Sequence, residues 1–170
     1  MKGIQIAKTG GLEVLQYLDV TKPLLERSGM LLVKNDFIGV NYIDTYHRSG
    51  LYALPTYPAT LGREGAGIVV ESTSAKFKTG ERVAYFSPGA YAEFVAVTED
   101  KACHLPNGID TRTAAASLLQ GLTALAFSTQ SFAVKPGDFA LIHAAAGGTG
   151  SNLVQMVKAF GGYVIGTTTR

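Results

Sequence analysis

The sequence predicts a mixed α/β (α+β) chain, in which an irregular β-barrel or sandwich precedes the first β–α–β unit of a parallel sheet. Two observations lead to this prediction. Up to about residue 105, short apolar or alternating runs are separated by glycine, proline and polar residues, as short strands are. From about residue 110, apolar residues recur at helical spacing, and a strand–loop–helix–strand pattern follows them.

The β-like part contains six candidate strands, over residues 4–7, 14–20, 30–40, 66–70, 83–86 and 91–97. One or two helical turns are expected after Asn41, where Asp44 could cap the turn. Further along, Asp110 or Thr111 can cap a helix that continues towards residue 132. The last predicted elements are a buried strand over 139–143, a small-residue loop over 144–150, a helix over 151–160 and a strand over 163–165.

Composition excludes several classes of protein. Hydrophobic residues make up 46% of the 170 residues, which is enough for a core and excludes global disorder or a fibrous repeat. The net charge is only +2 and the basic residues are dispersed, so no nucleic-acid partner is expected. The single cysteine, Cys103, excludes an internal disulfide and an all-cysteine zinc site, and it favours a reducing, cytoplasmic location.

A long uncharged run raises the question of a membrane span. The 22 residues from 113 to 134 carry no charge, but eight of them have hydrogen-bonding side chains. Such a segment is a poor bilayer helix and is expected to be a buried or half-buried helix instead. The first residues show no apolar signal-peptide stretch. The sequence therefore predicts no membrane partner.

The strongest functional signal is the run FALIHAAAGGTG over residues 139–150. Its spacing is A-x-x-G-G-x-G, with Ala144 at the tight turn, followed by Gly147, Gly148 and Gly150. A strand that leads through small residues into a helix exposes backbone N–H groups and the positive end of the helix dipole, which suit a dinucleotide pyrophosphate. The spacing departs from the strict G-x-G-x-x-G pattern, and an ordinary tight turn is the alternative.

The end of the last predicted strand indicates which dinucleotide is bound. An NAD site is expected to have an acidic residue about 20 residues after the glycines. Here Thr167, two further threonines and Arg170 occupy that place. Hydroxyl groups and a cation suit a 2′-phosphate, so NADP(H) is favoured. The alternative is that Arg170 has no role beyond that of a terminal residue.

Further motifs extend along the whole chain. They are GGLEVL at 10–15, GVNYIDTY at 39–46, RSGLY at 48–52, GREGAG at 62–67, GERV at 80–83, GAYAE at 89–93, AAA at 114–116, GLT at 121–123 and the loop at 143–150. Together they resemble the amino-terminal half of zinc-independent NADPH:quinone oxidoreductases of the zeta-crystallin type, in the medium-chain dehydrogenase/reductase superfamily. The resemblance implies a GroES-like β-barrel domain over residues 1–120 and an incomplete, truncated Rossmann domain over residues 121–170.

The resemblance also implies the roles of individual residues. Residues that match positions around the nicotinamide or its ribose are Asn41, Ile43, Asp44, Tyr46 and Thr123. The pyrophosphate loop corresponds to Gly147, Gly148, Thr149 and Gly150. Candidates for the substrate pocket are Tyr46, Tyr52 and Arg63, although Tyr52 could be a packing aromatic and Arg63 could pair with Glu64 or another acid. Zinc-dependent relatives have a cysteine at the position of Asn41 and a histidine at that of Arg63, so no metal is expected.

The implied activity is hydride transfer from NADPH to a quinone. A conjugated enone or alkenal is an alternative substrate, and a catalytically silent binding or structural remnant is an alternative of another class. Family members are typically homodimers and about twice as long as this chain, which lacks their dimer strand. We therefore expect the 170 residues to represent part of a longer polypeptide.

Overall fold

The computed structural model of the chain describes residues 1–169. Backbone contacts divide it into two compact units, Met1–Ala116 and Ser117–Arg170. The sequence-based prediction placed the boundary after residue 120. No helix among residues 1–169 is long and apolar enough to cross a membrane.

The first unit contains eight strands and one helix. The strands are β1 (Lys2–Ile6), β2 (Gln16–Asp19), β3 (Met30–Gly39), β4 (Ala59–Thr60), β5 (Glu64–Ser72), β6 (Arg82–Phe86), β7 (Phe94–Thr98) and β8 (Ala102–His104), and the helix α1 is Tyr42–Ser49. They form two antiparallel sheets, ordered β2-β1-β4 and β7-β3-β5-β6-β8. Main-chain hydrogen bonds between β1 and residues 91–93 join the sheets. The predicted β-rich part is thus confirmed as two linked sheets.

Three sequence-based predictions in this unit need correction. Strands β4 and β8, of two and three residues, are too short to give a period-two pattern and were missed. The stretch predicted as a strand over 14–20 begins with a 3-10 turn, Leu12–Val14, and becomes extended only at Gln16. The strand predicted over 91–97 begins only at Phe94, because residues 91–93 leave the five-stranded sheet and form hydrogen bonds with β1.

The core of the first unit lies against the central strand β3. Leu31, Leu32 and Val33 are all buried, which is expected of a strand that has β5 on one side and β7 on the other. Close approach of β3 and β5 requires glycine at position 67, since a Cβ there would lie 1.9 Å from the Lys34 carbonyl oxygen. The register of the two strands shifts next to this point, between Asn35 and Phe37.

The second unit contains a helix–strand–helix–strand arrangement. Its elements are α2 (Thr111–Ala126), which crosses the division and continues as a π-helical turn, Phe127–Ser131, then β9 (Phe139–Ile142), α3 (Gly148–Ala159) and β10 (Tyr163–Gly166). Asp110 caps α2, because its carboxylate accepts the Thr113 N–H at 2.6 Å. Strands β9 and β10 pair in parallel, which confirms the predicted β–α–β unit.

The prediction that β9 is a buried strand is only partly confirmed. Ile142 is buried, but Phe139 and Leu141 are 73% and 60% exposed. Alternate residues of a strand face opposite sides of a sheet, and α3 contacts the pair of strands on one side only. On the other side Phe139 stacks on Tyr163 of β10, with ring centroids 4.9 Å apart.

Candidate functional site

The glycine-containing turn of the second unit connects β9 to α3. Ala144 has φ of 52°, and it is the one non-glycine residue within 1–169 whose φ is positive. The Gly147 N–H donates to the Ala144 carbonyl at 2.8 Å and closes the turn. Gly147 is the N-cap of α3 and supplies no side-chain cap. The helix therefore begins three residues earlier than position 151, where the sequence-based prediction placed its start.

The start of α3 has the features that a dinucleotide pyrophosphate requires. A Cβ on Gly150 would lie 2.2 Å from the Ala144 carbonyl oxygen, and one on Gly148 would lie 2.0 Å from Oε1 of Gln120. The first-turn N–H groups, which include that of Thr149, have no partner within a helix and carry the positive end of its dipole. Only glycine fits at these two positions without displacing a neighbour, and the first-turn N–H groups make this turn suitable for a pyrophosphate.

A cleft of about 390 Å³ lies beside this turn. Its lining includes Gly147, Gly148, Thr149 and Gly150, so the second unit brings these four predicted residues together. Thr123 is not among the lining residues, and its hydroxyl donates to the Leu119 carbonyl of its own helix at 2.8 Å.

The strand end that follows β10 is held by backbone and side-chain hydrogen bonds. The Thr167 N–H donates to the Ile142 carbonyl, and the Thr167 carbonyl accepts the Ala145 N–H, each at 2.9 Å. The Thr167 hydroxyl lies 3.0 Å from Nδ1 of His143, which also lines the cleft. The sequence reasoning did not select His143, although its place at the end of β9 was a usable signal. Arg170 lies outside the described residues.

In the first unit, the predicted residues cluster at the start of α1. The Asn41 N–H donates to Oδ2 of Asp44 at 2.9 Å. Asp44 therefore helps to cap α1, which was one of the roles considered for it from the sequence. The same oxygen accepts the Tyr91 hydroxyl at 2.6 Å. Asp44 is 5% exposed, and its Oδ1 is buried without a described hydrogen bond. Burial, assisted by the hydrogen bond to Asp44, raises the pKa of the Tyr91 phenol.

The side chain of Asn41 points to a different acid. Its Nδ2 donates to Oε1 of Glu64 at 2.6 Å, and both residues are buried. Sequence reasoning considered Glu64 only as a partner of Arg63. Its contact with Asn41 joins residues from two separate elements, and no local pattern predicts such a contact.

The aromatic candidates lie together on α1 and just after it. The ring centroids of Tyr46 and Tyr52 are 5.2 Å apart in an edge-to-face arrangement, and Tyr42 is 5.4 Å from Tyr46 in the same way. Tyr52 is 50% exposed, so it both packs and presents an edge to solvent. Ile43 lies between Tyr42 and Tyr46 in the sequence of α1 and is half-buried.

Arg63 precedes β5 and is half-buried. Its guanidinium carbon is 5.9 Å from the centre of the Phe86 ring. None of the ion pairs described among residues 1–169 involves Arg63. Its Nε is buried without a hydrogen-bond partner. Over the same described range, no three histidine, cysteine, aspartate or glutamate residues are grouped to hold a metal ion.

Comparison with known proteins shows what the chain is similar to. Residues 27–107 match the alcohol dehydrogenase GroES-like domain. The chain is 46% identical to a quinone oxidoreductase of Pseudomonas aeruginosa, over 99% of this chain and 53% of the relative. The structure of an Escherichia coli quinone oxidoreductase complexed with NADPH superimposes with a TM-score of 0.94 and 41% identity, over 100% of this chain and 53% of that chain. Over its whole length the chain is thus similar to the amino-terminal half of quinone oxidoreductases.

A quinone oxidoreductase of Pseudomonas syringae pv. Tomato gives a TM-score of 0.95 at 43% identity. That superposition includes 99% of this chain and 53% of the other protein. It spans about half the length of the curated quinone oxidoreductases it matches. The match lies in their amino-terminal half, as the sequence motifs predicted.

Proposed function

We propose that this chain carries part of an NADPH-dependent quinone oxidoreductase, which transfers a hydride from NADPH to a quinone. The observation that carries the proposal is the turn from Ala144 to Gly150, which leads into the start of α3, where the first-turn N–H groups have no partner within the helix. The relative from Escherichia coli has NADPH bound, which supports the choice of cofactor. The cofactor supplies the hydride, and the protein binds and orients it.

Within this proposal the second unit binds the phosphate groups. Gly148, Thr149 and Gly150 donate backbone N–H groups to the pyrophosphate, since their N–H groups have no helical acceptor, and Gly147 closes the turn that precedes them. Thr167, held by His143, contributes its hydroxyl to the 2′-phosphate side, and Arg170 contributes a cation there. Thr123 is proposed to contact the nicotinamide region with its hydroxyl oxygen as acceptor, because the proton is already donated to Leu119.

The first unit is proposed to serve the nicotinamide and the substrate. Asn41, Ile43, Asp44 and Tyr46 act on the nicotinamide and its ribose, and the unpartnered Oδ1 of Asp44 suits a ribose hydroxyl. Tyr46, Tyr52 and Arg63 line the substrate pocket, where aromatic edges suit a flat quinone ring. Reduction of the quinone by hydride also requires a proton, which water can supply.

The proposal includes no zinc, because Asn41 and Arg63 stand where zinc-dependent relatives have ligands. A small quinone, or an enone as the alternative, is the expected partner, and homodimerisation is proposed for the whole protein. A reducing, cytoplasmic location rests on the lone cysteine, Cys103. A catalytically silent binding or structural remnant is the second candidate, and the exposed Phe139, Leu141 and Tyr163 of β9 and β10 would be its apolar binding surface.

NADPH binding to the purified chain tests the proposal. Nicotinamide fluorescence would follow the titration, with NADH as the comparison. We expect saturable binding that favours NADPH, and at least tenfold weaker binding for Gly150→Ala, because its Cβ would displace the Ala144 carbonyl. Gly121→Ala is the matched control, since a Cβ at that position in α2 meets no atom within 4 Å. A folded chain that binds neither nucleotide supports the remnant instead.

A further inference from the structure

Glu64 is a buried acid to which the proposed function assigns no role. Its side chain is 1% exposed, and its Oε1 accepts Nδ2 of Asn41 at 2.6 Å. A carboxylate withdrawn from water is costly unless hydrogen bonds compensate it, and the short bond from Asn41 supplies such compensation. The bond therefore restricts both side chains.

The surrounding backbone is shaped to receive this carboxylate. β3 ends at Gly39, and a Cβ there would lie 2.2 Å from Oε1 of Glu64 and 2.5 Å from the Ala115 carbonyl oxygen. The absence of a side chain at position 39 is thus what leaves room for the acid. A residue that only filled space would not need this gap, because an apolar side chain could fill it from the β3 side.

The backbone and the side chain of Asn41 are held by two different acids. The backbone N–H donates to Asp44, which is itself held by the Tyr91 hydroxyl. The side-chain amide donates to Glu64. A carboxylate can only accept hydrogen bonds, so the amide nitrogen must face Glu64 and the amide oxygen must face away from it. One of the two flip states of Asn41 is excluded by this requirement.

We propose that Glu64 is a positioning residue of the NADPH site, which fixes the Asn41 carboxamide in one flip state for contact with the nicotinamide end of the cofactor. This inference rests on the proposed function. The nicotinamide also carries a carboxamide, with a donor and an acceptor at opposite ends. An Asn41 in the other flip state presents the wrong group to it, whereas an Asn41 fixed by Glu64 presents one pattern.

Glu64→Gln is the decisive substitution, because glutamine has nearly the same shape but can either donate or accept. We expect about tenfold weaker binding of NADPH, because a glutamine that donates its amide to Asn41 would hold the asparagine in the other flip state for about nine-tenths of the time. Binding of 2′,5′-ADP, which has the 2′-phosphate but no nicotinamide, should change less than twofold. The matched control is Glu99→Gln, which removes a carboxylate that accepts the Ser74 hydroxyl in the same unit. It should leave both affinities unchanged.

A double-mutant cycle separates positioning from general stability. If Glu64 acts through Asn41, then Glu64→Gln has less than a twofold effect on NADPH binding in the Asn41→Ala background. Equal effects of Glu64→Gln in both backgrounds would overturn the inference. The Asn41 side-chain amide signal in a 15N-correlated NMR spectrum gives a reading without cofactor. It should move strongly with Glu64→Gln and hardly with Glu99→Gln.

The outcomes distinguish this inference from the function on which it rests. A wild-type chain that binds NADPH, together with a Glu64→Gln variant that binds it equally well, overturns the positioning role and leaves the proposed function standing. A folded wild-type chain that binds neither NADPH nor 2′,5′-ADP overturns both. If Glu64→Gln alters the circular dichroism spectrum, loss of both ligands in parallel counts against positioning.

Discussion

The two units hold their candidate residues in different ways, the first through side-chain hydrogen bonds and the second through the backbone of a turn. At the start of α1, buried side chains bond one another, and Asn41, Asp44, Glu64 and Tyr91 form one hydrogen-bonded group. At the start of α3, the turn from Ala144 to Gly150 depends on backbone hydrogen bonds and on glycine at positions where a side chain would not fit. The first arrangement fixes the direction of a polar side chain, and the second allows a phosphate to approach the backbone.

This difference has an energetic consequence. Buried polar groups are costly to leave without partners, so changes in the first unit should mainly reduce folding stability. The turn in the second unit is more exposed, so changes there should reduce binding more than stability. Three experiments test the comparison, in order of decreasing effect.

The largest effect is expected for Gly39→Ala. The new Cβ would lie 2.2 Å from Oε1 of Glu64 and 2.5 Å from the Ala115 carbonyl oxygen, so the buried acid or the strand must move. We expect the free energy of unfolding to fall by about 3 kcal/mol, the upper range for overpacking a core. Urea unfolding followed by circular dichroism measures it. A loss below about 0.5 kcal/mol would show that the Glu64 pocket yields easily, and the contrast between the units would weaken.

The next largest effect is expected in the pH dependence of the folding stability of the first unit. Burial raises the pKa of both Tyr85 and Tyr91 in the folded chain. The folded state then holds these protons while the unfolded state releases them above its ordinary value of about 10, so stability is intact below pH 10 and falls as the pH rises further. Each tyrosine contributes a slope of at most about 1.4 kcal/mol per pH unit.

Tyr91→Phe and Tyr85→Phe should each make this alkaline loss of stability less steep. Tyr163→Phe removes an exposed tyrosine from β10 and serves as the control. Unfolding midpoints in urea at several pH values between 9 and 11 provide the measurement. Identical slopes for Tyr91→Phe and the wild type would mean that Tyr91 ionises as readily in the folded chain as in the unfolded one.

The smallest effect is expected in the glycine turn itself. Ala144 has φ of 52°, a left-handed conformation that costs a non-glycine residue about 1 kcal/mol. Ala144→Gly should therefore raise the free energy of unfolding of the second unit by about 0.5–1 kcal/mol. Ala146→Gly, two residues further on and without a positive φ, should lower it slightly. Thermal unfolding of the two variants side by side distinguishes relief of strain from a general effect of glycine.

Local patterns in the sequence were sufficient for the order of the elements and for the glycine turn. The period of the apolar residues predicted the change from strands to helices, and the small residues at 144–150 predicted the turn, because both depend on neighbours along the chain. The start of α3 was placed at 151 instead of Gly148, since the helical pattern of large apolar residues begins only after the glycines.

Only the tertiary structure decided which side chains meet. Glu64 follows a loop and Asn41 precedes α1, and they are 23 positions apart in the sequence, yet their side chains are 2.6 Å apart. His143 meets Thr167 because β9 and β10 pair in parallel and end at the same edge. The sequence by itself determined the motifs and the family resemblance, whereas strand pairing and burial decided which polar groups are partners, because these contacts join residues that are distant along the chain.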